Sequence, residues 1–315
     1  MTAPFDLLGS ASFLVDDHER TAAAIQAALG FPEPKPHWVI RERGVGIRVT
    51  FLRAGSVLEN PTPIEVVDPD YIDPARDPAR VQPHLGRLAA GQRGRAVRIH
   101  ATDIATSDID AVVDRLVEQR RRHWTHVAPN GDRRVWVGVT PDDPGDYRRD
   151  GDGGLRFEFL PTAALRLPGA VFDAPRSTTG LRWRTYLVAD IHDTLDEIAG
   201  AFDWTPEQPV ETGRYGSRRA TLGFRCVNST QLRLVQPAGA TADGEALRRY
   251  GPGPWSLTLA VDDLDATIDD LRRRGVPVRE VTPDFDMPSR VIRVDERAIP
   301  GAVFDVVDAR ELASR

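Results

Sequence analysis

The stretch "AVDDLDATIDDLRRRGVPV" at positions 260–278 decides the fold, because it recurs in altered form at three other places. The related stretches are "LVDDHERTAAAIQAALGF" (14–31), "ATSDIDAVVDRLVEQRRRHW" (105–124) and "VADIHDTLDEIAGAFDW" (188–204). Each reads as a short apolar strand, an acidic turn residue and a helix with apolar residues at three- and four-residue spacing, as at Ile268 and Leu271. A repeat of this kind is weighed first, since a recurring unit fixes the architecture.

Each opening leads to a strand that ends in a similar way: "TPIEVVDP" (62–69), "LRFEFLP" (155–161), "QLRLVQP" (231–237) and "AVFDVVD" (302–308). Asp17 to Glu65 spans 48 positions, Asp108 to Glu158 spans 50, Asp190 to Arg233 spans 43 and Asp263 to Asp305 spans 42. Two further strands fit between opening and ending, such as "HVAPNG" with "RRVWVGVTP" and "RYGS" with "RRATLGFRCV". The chain is therefore predicted to be an α+β protein of four βαβββ units. Residues 68–95 and 237–254 join units, and residues 165–180, rich in Pro, Gly and Ser without a clear period, link two domains. The expected domains are 1–166 and 178–315.

Length and composition agree with that division. A chain of 315 residues has room for about two cores. Its 41% apolar and 28% charged content are those of a soluble globular protein. No apolar run nears the roughly 20 residues of a membrane span, and "MTAPFDLLGS" has no basic-then-apolar leader, so no membrane partner is expected and a cytoplasmic location follows by default. The net charge of −6 argues against a nucleic-acid partner. Cys226, the only cysteine, excludes an internal disulfide and, within "TLGFRCVNS", reads as a core residue on a strand. Lys35 is the only lysine among 41 basic residues, which suits a GC-rich bacterial genome. Its place between prolines in "EPKPH" is a poor one for a Schiff-base lysine.

The unit, most clearly in "GPGPWSLTLAVDDLDATIDDLRRRGV" (251–276), resembles the module of the vicinal oxygen chelate superfamily of glyoxalases, bleomycin-resistance proteins and dioxygenases. The likeness spans nearly the whole chain and implies two glyoxalase-like domains, each a cupped mixed-sheet half-barrel of two paired modules. It also implies a metal site: a histidine seven residues before the acidic turn and a glutamate on the last strand of each module, up to four ligands for one divalent ion. Imidazole and carboxylate suit Zn, Fe, Ni or Mn, which polarise adjacent substrate oxygens.

Here the four first-strand positions hold Ser10, Ala101, Trp183 and Ser256, and the last-strand positions hold Glu65, Glu158, Arg233 and Asp305. The C-terminal half thus lacks both histidines, and a guanidinium cannot ligate a cation. A dioxygenase site of two histidines and a glutamate is excluded there. An Arg233–Asp305 ion pair is expected in its place, with Ser256 nearby. Trp183 and Trp255 either wall a pocket for a flat, partly anionic ligand anchored by Arg233 or fill a closed core.

In the N-terminal half, Glu65 and Glu158 are expected to face one another beside Ser10. Two buried carboxylates need either a raised pKa or a cation. His100 adjoins the ligand position at Ala101, and strand alternation would turn it to the other face unless a bulge intervenes. Two readings follow. Either His100 points outward while the carboxylates meet arginines or water, or Glu65, Glu158 and His100 hold a divalent metal, in the N-terminal domain only.

The other histidines carry less. His123 and His126, three apart on a strand, face opposite ways. His18 and His192 fall at helix starts and are expected to be solvated, and His37 and His84 lie in proline-rich loops. No H-E-x-x-H, G-x-S-x-G or Walker pattern is present. The functional expectation is a protein binding a small oxygenated or aromatic molecule in a cup, by sequestration or metal-independent chemistry. The alternative is a metal-dependent lyase, isomerase or dioxygenase in the N-terminal cup, with Glu65 or Glu158 as general base. A homodimer is compatible with either.

Overall fold

The computed structural model describes residues 3–31, 38–42, 45–68, 88, 91–127, 131–143, 145–286 and 288–312. Lys35, His37 and His84 lie outside these, as does most of the 68–95 connector.

The first unit is β1 (Leu7–Leu14), α1 (His18–Leu29), β2 (Trp38–Glu42), β3 (Val45–Leu52) and β4 (Ile64–Asp68). The second is β5 (Thr102–Thr106), α2 (Ile109–Glu118), β6 (His123–Val127), β7 (Arg133–Val137) and β8 (Phe157–Pro161). The third is β9 (Gly180–Leu187), α3 (Ile191–Phe202), β10 (Glu211–Thr212), β11 (Arg218–Leu222) and β12 (Gln231–Gln236). After α4 (Ala242–Tyr250), the fourth is β13 (Gly253–Val261), α5 (Leu264–Arg273), β14 (Val278–Val281), β15 (Val291–Val294) and β16 (Val303–Asp308). A last short helix, α6, covers Ala309–Leu312.

Two eight-stranded mixed sheets result, in the orders β2-β3-β4-β1-β5-β8-β7-β6 and β10-β11-β12-β9-β13-β16-β15-β14. In each, the opening strand of a unit pairs in parallel with its own last strand, and the two opening strands pair antiparallel at the centre. The α+β fold of four βαβββ units is therefore the observed one.

The acidic turn residues cap the helices. Asp17 accepts from the Arg20 N–H at 3.0 Å, Asp108 from Ala111 at 2.9 Å, Asp190 from His192 at 2.8 Å and Asp263 from Ala266 at 2.9 Å. Each cap satisfies an amide that the first helical turn leaves without a partner. The apolar stripe behind the cap faces the sheet: in α5, Leu264, Ile268 and Leu271 are buried. Burial of each contributes about 1.5–3 kcal/mol, which fixes the helix on the convex side.

The two halves share one core. Phe5 stacks near Phe159 and Trp204, with ring centres 4.9 and 5.0 Å away, and Phe13 meets Phe304 at 5.8 Å. Arg184 is 1% exposed, lies 4.4 Å over the Phe13 ring and donates to the Ser12 carbonyl at 3.2 Å. The Tyr186 and Thr102 hydroxyls bond across the same junction.

Three local expectations change. Residues 214–217, "RYGS", form the turn after β10 and not a strand. Cys226 is buried, as expected, but sits in a turn beyond β11, close to the Val171 carbonyl. His18 is 2% exposed because the first turn of α1 lies against the core, whereas His192 is exposed. The 237–254 connector contains a helix, α4, started by the Thr241 side chain accepting from Gly244 at 3.0 Å. Among the described residues, no helix is long and apolar enough to cross a membrane.

Candidate functional site

On the concave face of the N-terminal sheet, register gathers acidic side chains. Glu65 on β4 is level with Ser12 on β1, Asp103 on β5 is level with Ser10, and Glu158 on β8 is level with Asp103. Glu65, Asp103 and Glu158 are all buried. The Ser10 hydroxyl lies 2.7 Å from Glu65 and 2.5 Å from Asp103. One hydroxyl proton cannot serve two carboxylates at once, so one carboxyl holds a proton of its own or a cation balances them.

Burial, reinforced by Asp103, pushes Glu65 up to about 8. Burial likewise pushes Glu158 up to about 7, against the opposing pull of Arg134. Glu158 accepts from Arg134 at 3.1 Å. It does not join Glu65 directly, because β1 and β5 stand between their strands and Asp103 occupies the interval.

His100 turns into the cup. Its Nδ1 lies 2.7 Å from the Ser12 hydroxyl, and its Nε2 is 4.0 Å from Glu65 and 3.9 Å from Asp103. The ring packs against Trp136 at 6.0 Å. Strand alternation does not govern this position, since β5 begins only at Thr102, and Ala101 lies in the same cluster as Trp136. Glu65, His100 and Asp103 bring three ligand atoms within 4.8 Å of one another, a donor set that fits a divalent metal. Asp103 was missed by counting motif positions; only the pairing of β5 with β1 and β8 shows it.

His123 and His126 form no such cluster. His126 stacks on Trp124 at 4.5 Å, and His123 Nδ1 sits 2.9 Å from the Arg121 carbonyl.

The C-terminal cup has a different chemistry. Asp305 pairs with Arg293, Nε to Oδ1 at 2.7 Å and Nη2 to Oδ2 at 3.1 Å, instead of with Arg233. The reason is sheet order: Arg293 is the direct neighbour of Asp305 across β15 and β16, whereas β9 and β13 separate Arg233 from it. Arg293 also donates to Asp243 of α4 at 2.8 Å, and Asp243 accepts from Trp255 Nε1 at 2.9 Å. Trp183 and Ser256 offer no second carboxylate or imidazole, and Asp305 is engaged by a guanidinium, so these residues do not fit a metal ion.

Arg233 is left over. Its guanidinium carbon lies 3.2 Å from the centre of the Trp183 ring, and it has no hydrogen-bond or ion-pair partner among the described residues. Burial first, and then the nearby Arg219, push its pKa well down, while Glu211 and Asp305 only partly oppose this. Arginine stays charged in proteins, so the direction marks a cation that an anion would stabilise.

Arg233 lines a cavity of about 100 Å³ together with Thr185, Val235, Ser256, Phe285 and Val307. That is room for several waters or a small organic fragment. Trp183 sits beneath Arg233, and Trp255 borders an adjoining cavity with Arg279 and Val303, so neither tryptophan walls the main one.

A strap closes this cup. The loop between β14 and β15 reaches the opposite sheet edge, where the Asp284 carbonyl accepts from Arg214 at 2.8 Å and its carboxylate accepts from Ser217 at 3.0 Å and from Tyr215. A side chain at Gly213 would come within 2.6 Å of Asp284 Cγ, so the close approach needs glycine there. Phe285 covers the Arg219 guanidinium at 4.2 Å.

Comparison with known proteins agrees with this architecture. Residues 185–287 match the family model described as the Glyoxalase/Bleomycin resistance protein/Dioxygenase superfamily. A mutant of 4-hydroxymandelate synthase from Streptomyces coelicolor has a similar structure, with a TM-score of 0.61 at 15% identity over 98% of this chain and 93% of that one. Methylmalonyl-CoA epimerase from Streptomyces coelicolor aligns at 21% identity over 42% of this chain and 98% of its own, with a TM-score of 0.36. The Mycobacterium tuberculosis epimerase aligns at 25% identity over 43% and 92%, also with a TM-score of 0.36. No curated protein matches the chain. The family match thus lies within the C-terminal half, and the likeness of fold extends over nearly the whole chain.

Proposed function

We propose that the protein binds a small organic anion, a carboxylate or phenolate with an apolar body, in the C-terminal cup without the aid of a metal. The carrying observation is Arg233: a guanidinium that borders a cavity, bears a desolvation cost and has no anion against it. Pairing in this cup is uneven, since Arg293 holds two carboxylates and Arg219 holds Glu211, while Arg233 holds none. A ligand oxygen supplies the missing charge, and Val235, Phe285 and Val307 receive the apolar part. The strap through Asp284 holds the ligand in the cup, an arrangement that suits sequestration or chemistry that needs no metal.

Tryptophan fluorescence tests this, because Trp183 stacks under the responding cation. Benzoate and phenylacetate are expected to change the emission saturably in the presence of a chelator, and benzamide is not. Equal responses to benzoate and benzamide, or no response to either anion, would contradict the assignment.

A further inference from the structure

The floor of the C-terminal cup carries hydroxyl groups that its own chain does not satisfy. Thr185 on β9 and Ser256 and Thr258 on β13 are buried and line the same cavity as Arg233. None of the three side chains has a hydrogen-bond partner among the described residues. Two other hydroxyls of the wall are engaged: Ser217 accepts from the Ala238 amide at 2.7 Å, and Thr241 accepts from Gly244 at 3.0 Å. Buried hydroxyls are ordinarily satisfied, so three left open toward one cavity mark where ligand oxygens sit.

Register puts these hydroxyls beside Arg233. Thr185 is level with Arg233 itself, and Thr258 is level with Trp183, the ring under the Arg233 guanidinium. On its other side Thr258 is level with Asp305, which Arg293 engages. Neighbouring strands lie about 4.8 Å apart, so a second ligand oxygen one strand away from the carboxylate meets a hydroxyl. The opposite wall differs. Pro283, Phe285 and Pro288 of the strap line the cavity with carbon, while Asp284 turns its carboxylate to the Ser217 amide at 3.0 Å.

We propose that the ligand is a saturated cyclic hydroxy acid with its carboxylate and a hydroxyl on one face of the ring, and that Thr185, Ser256 and Thr258 set this preference. The assignment rests on the reading of Arg233 as an anion's partner and adds the shape of that anion. An aromatic acid holds its hydroxyls in the ring plane and offers carbon to both walls. A puckered ring turns carboxylate and hydroxyl to the floor together and its remaining carbons to Phe285. Each floor hydroxyl both donates and accepts, so it pairs with a ligand hydroxyl in either sense. A ligand without that oxygen leaves buried hydroxyls unpaired, which is the stronger source of discrimination.

The test is calorimetry of the chelator-treated full chain with cis- and trans-4-hydroxycyclohexanecarboxylate and with benzoate as reference. The two oxygen functions share a ring face in the cis acid and lie on opposite faces in the trans acid. The cis acid is expected to bind at least about tenfold more tightly than the trans acid. That ratio is expected to fall below about threefold in the double variant Ser256→Ala, Thr258→Val; a merely structural role would weaken both isomers alike and leave the ratio in place. Equal binding of the isomers, or tighter binding of the trans acid, would overturn the proposal while benzoate binding keeps the anion reading. An unchanged ratio in the double variant would overturn the role of these hydroxyls. Failure of all three acids to bind would overturn the anion reading and the proposal with it.

Discussion

The Arg233 guanidinium carbon lies 3.2 Å from the centre of the Trp183 ring, and no carboxylate of the described residues reaches it. A cation–π contact of this kind contributes about 0.5–2 kcal/mol, less than a buried cation costs without an anion. Replacement by an apolar side chain of similar length therefore removes a strained group, not a structural one. Arg233→Met is expected to leave the unfolding free energy within about 1 kcal/mol of the wild type or to raise it. Urea denaturation measures this, and a loss above about 2 kcal/mol would show that Arg233 holds the fold.

Asp305 is the contrasting case, buried and bidentate on Arg293. Asp305→Ala leaves Arg293 buried with only Asp243, so a loss of about 3 kcal/mol is expected. A change below about 1 kcal/mol would mean that Asp243 alone satisfies Arg293.

The strap rests on Asp284, which receives three backbone amides from the turn after β10. In Asp284→Ala two of those bonds disappear, at about 1–3 kcal/mol, while the backbone one remains. Limited proteolysis within residues 282–290 is expected to accelerate at least about tenfold, as local opening becomes easier. Unchanged cleavage would show that Phe285 over Arg219 is enough to hold the loop.

Asp152 gives a pH dependence away from both cups. It is fully buried, accepts from the Tyr147 hydroxyl at 2.8 Å and from the Gly154 and Arg156 amides at 3.0 Å. Burial nonetheless pushes it up to about 6 from 3.8. The unfolded chain releases this proton first, so its contribution to stability is fully present below about pH 4 and is lost as pH rises to about 6. The loss is at most about 3 kcal/mol. In Asp152→Asn that loss is absent, so the wild type is expected to weaken relative to the variant between these pH values in urea denaturation. The reverse slope would contradict the assignment.

The fourfold repeat made the architecture readable because each unit carries its own local signals. Asp17, Asp108, Asp190 and Asp263 are helix caps, and a cap with an apolar stripe behind it is written in neighbouring residues. The site was readable only where counting along one strand suffices, as for Glu65, Glu158, Arg233 and Asp305. Partners set by strand neighbours escaped. Asp103, Arg134 and Arg293 lie on strands whose register the sequence does not state, and Asp243 lies on a helix within an expected connector. The orientation of His100 stayed open between two readings, because it precedes the start of β5 by two residues and strand alternation does not reach it.

The proposed division of labour has an anion held by arginine in one cup, independent of the acidic cluster in the other. Calorimetric titration of benzoate into chelator-treated wild type, zinc-treated wild type and chelator-treated Arg233→Met measures this most directly. One saturable site is expected in both wild-type samples with the same affinity, weakened at least about tenfold in the variant. Benzoate binding that requires zinc, or that survives unchanged in Arg233→Met, would contradict it.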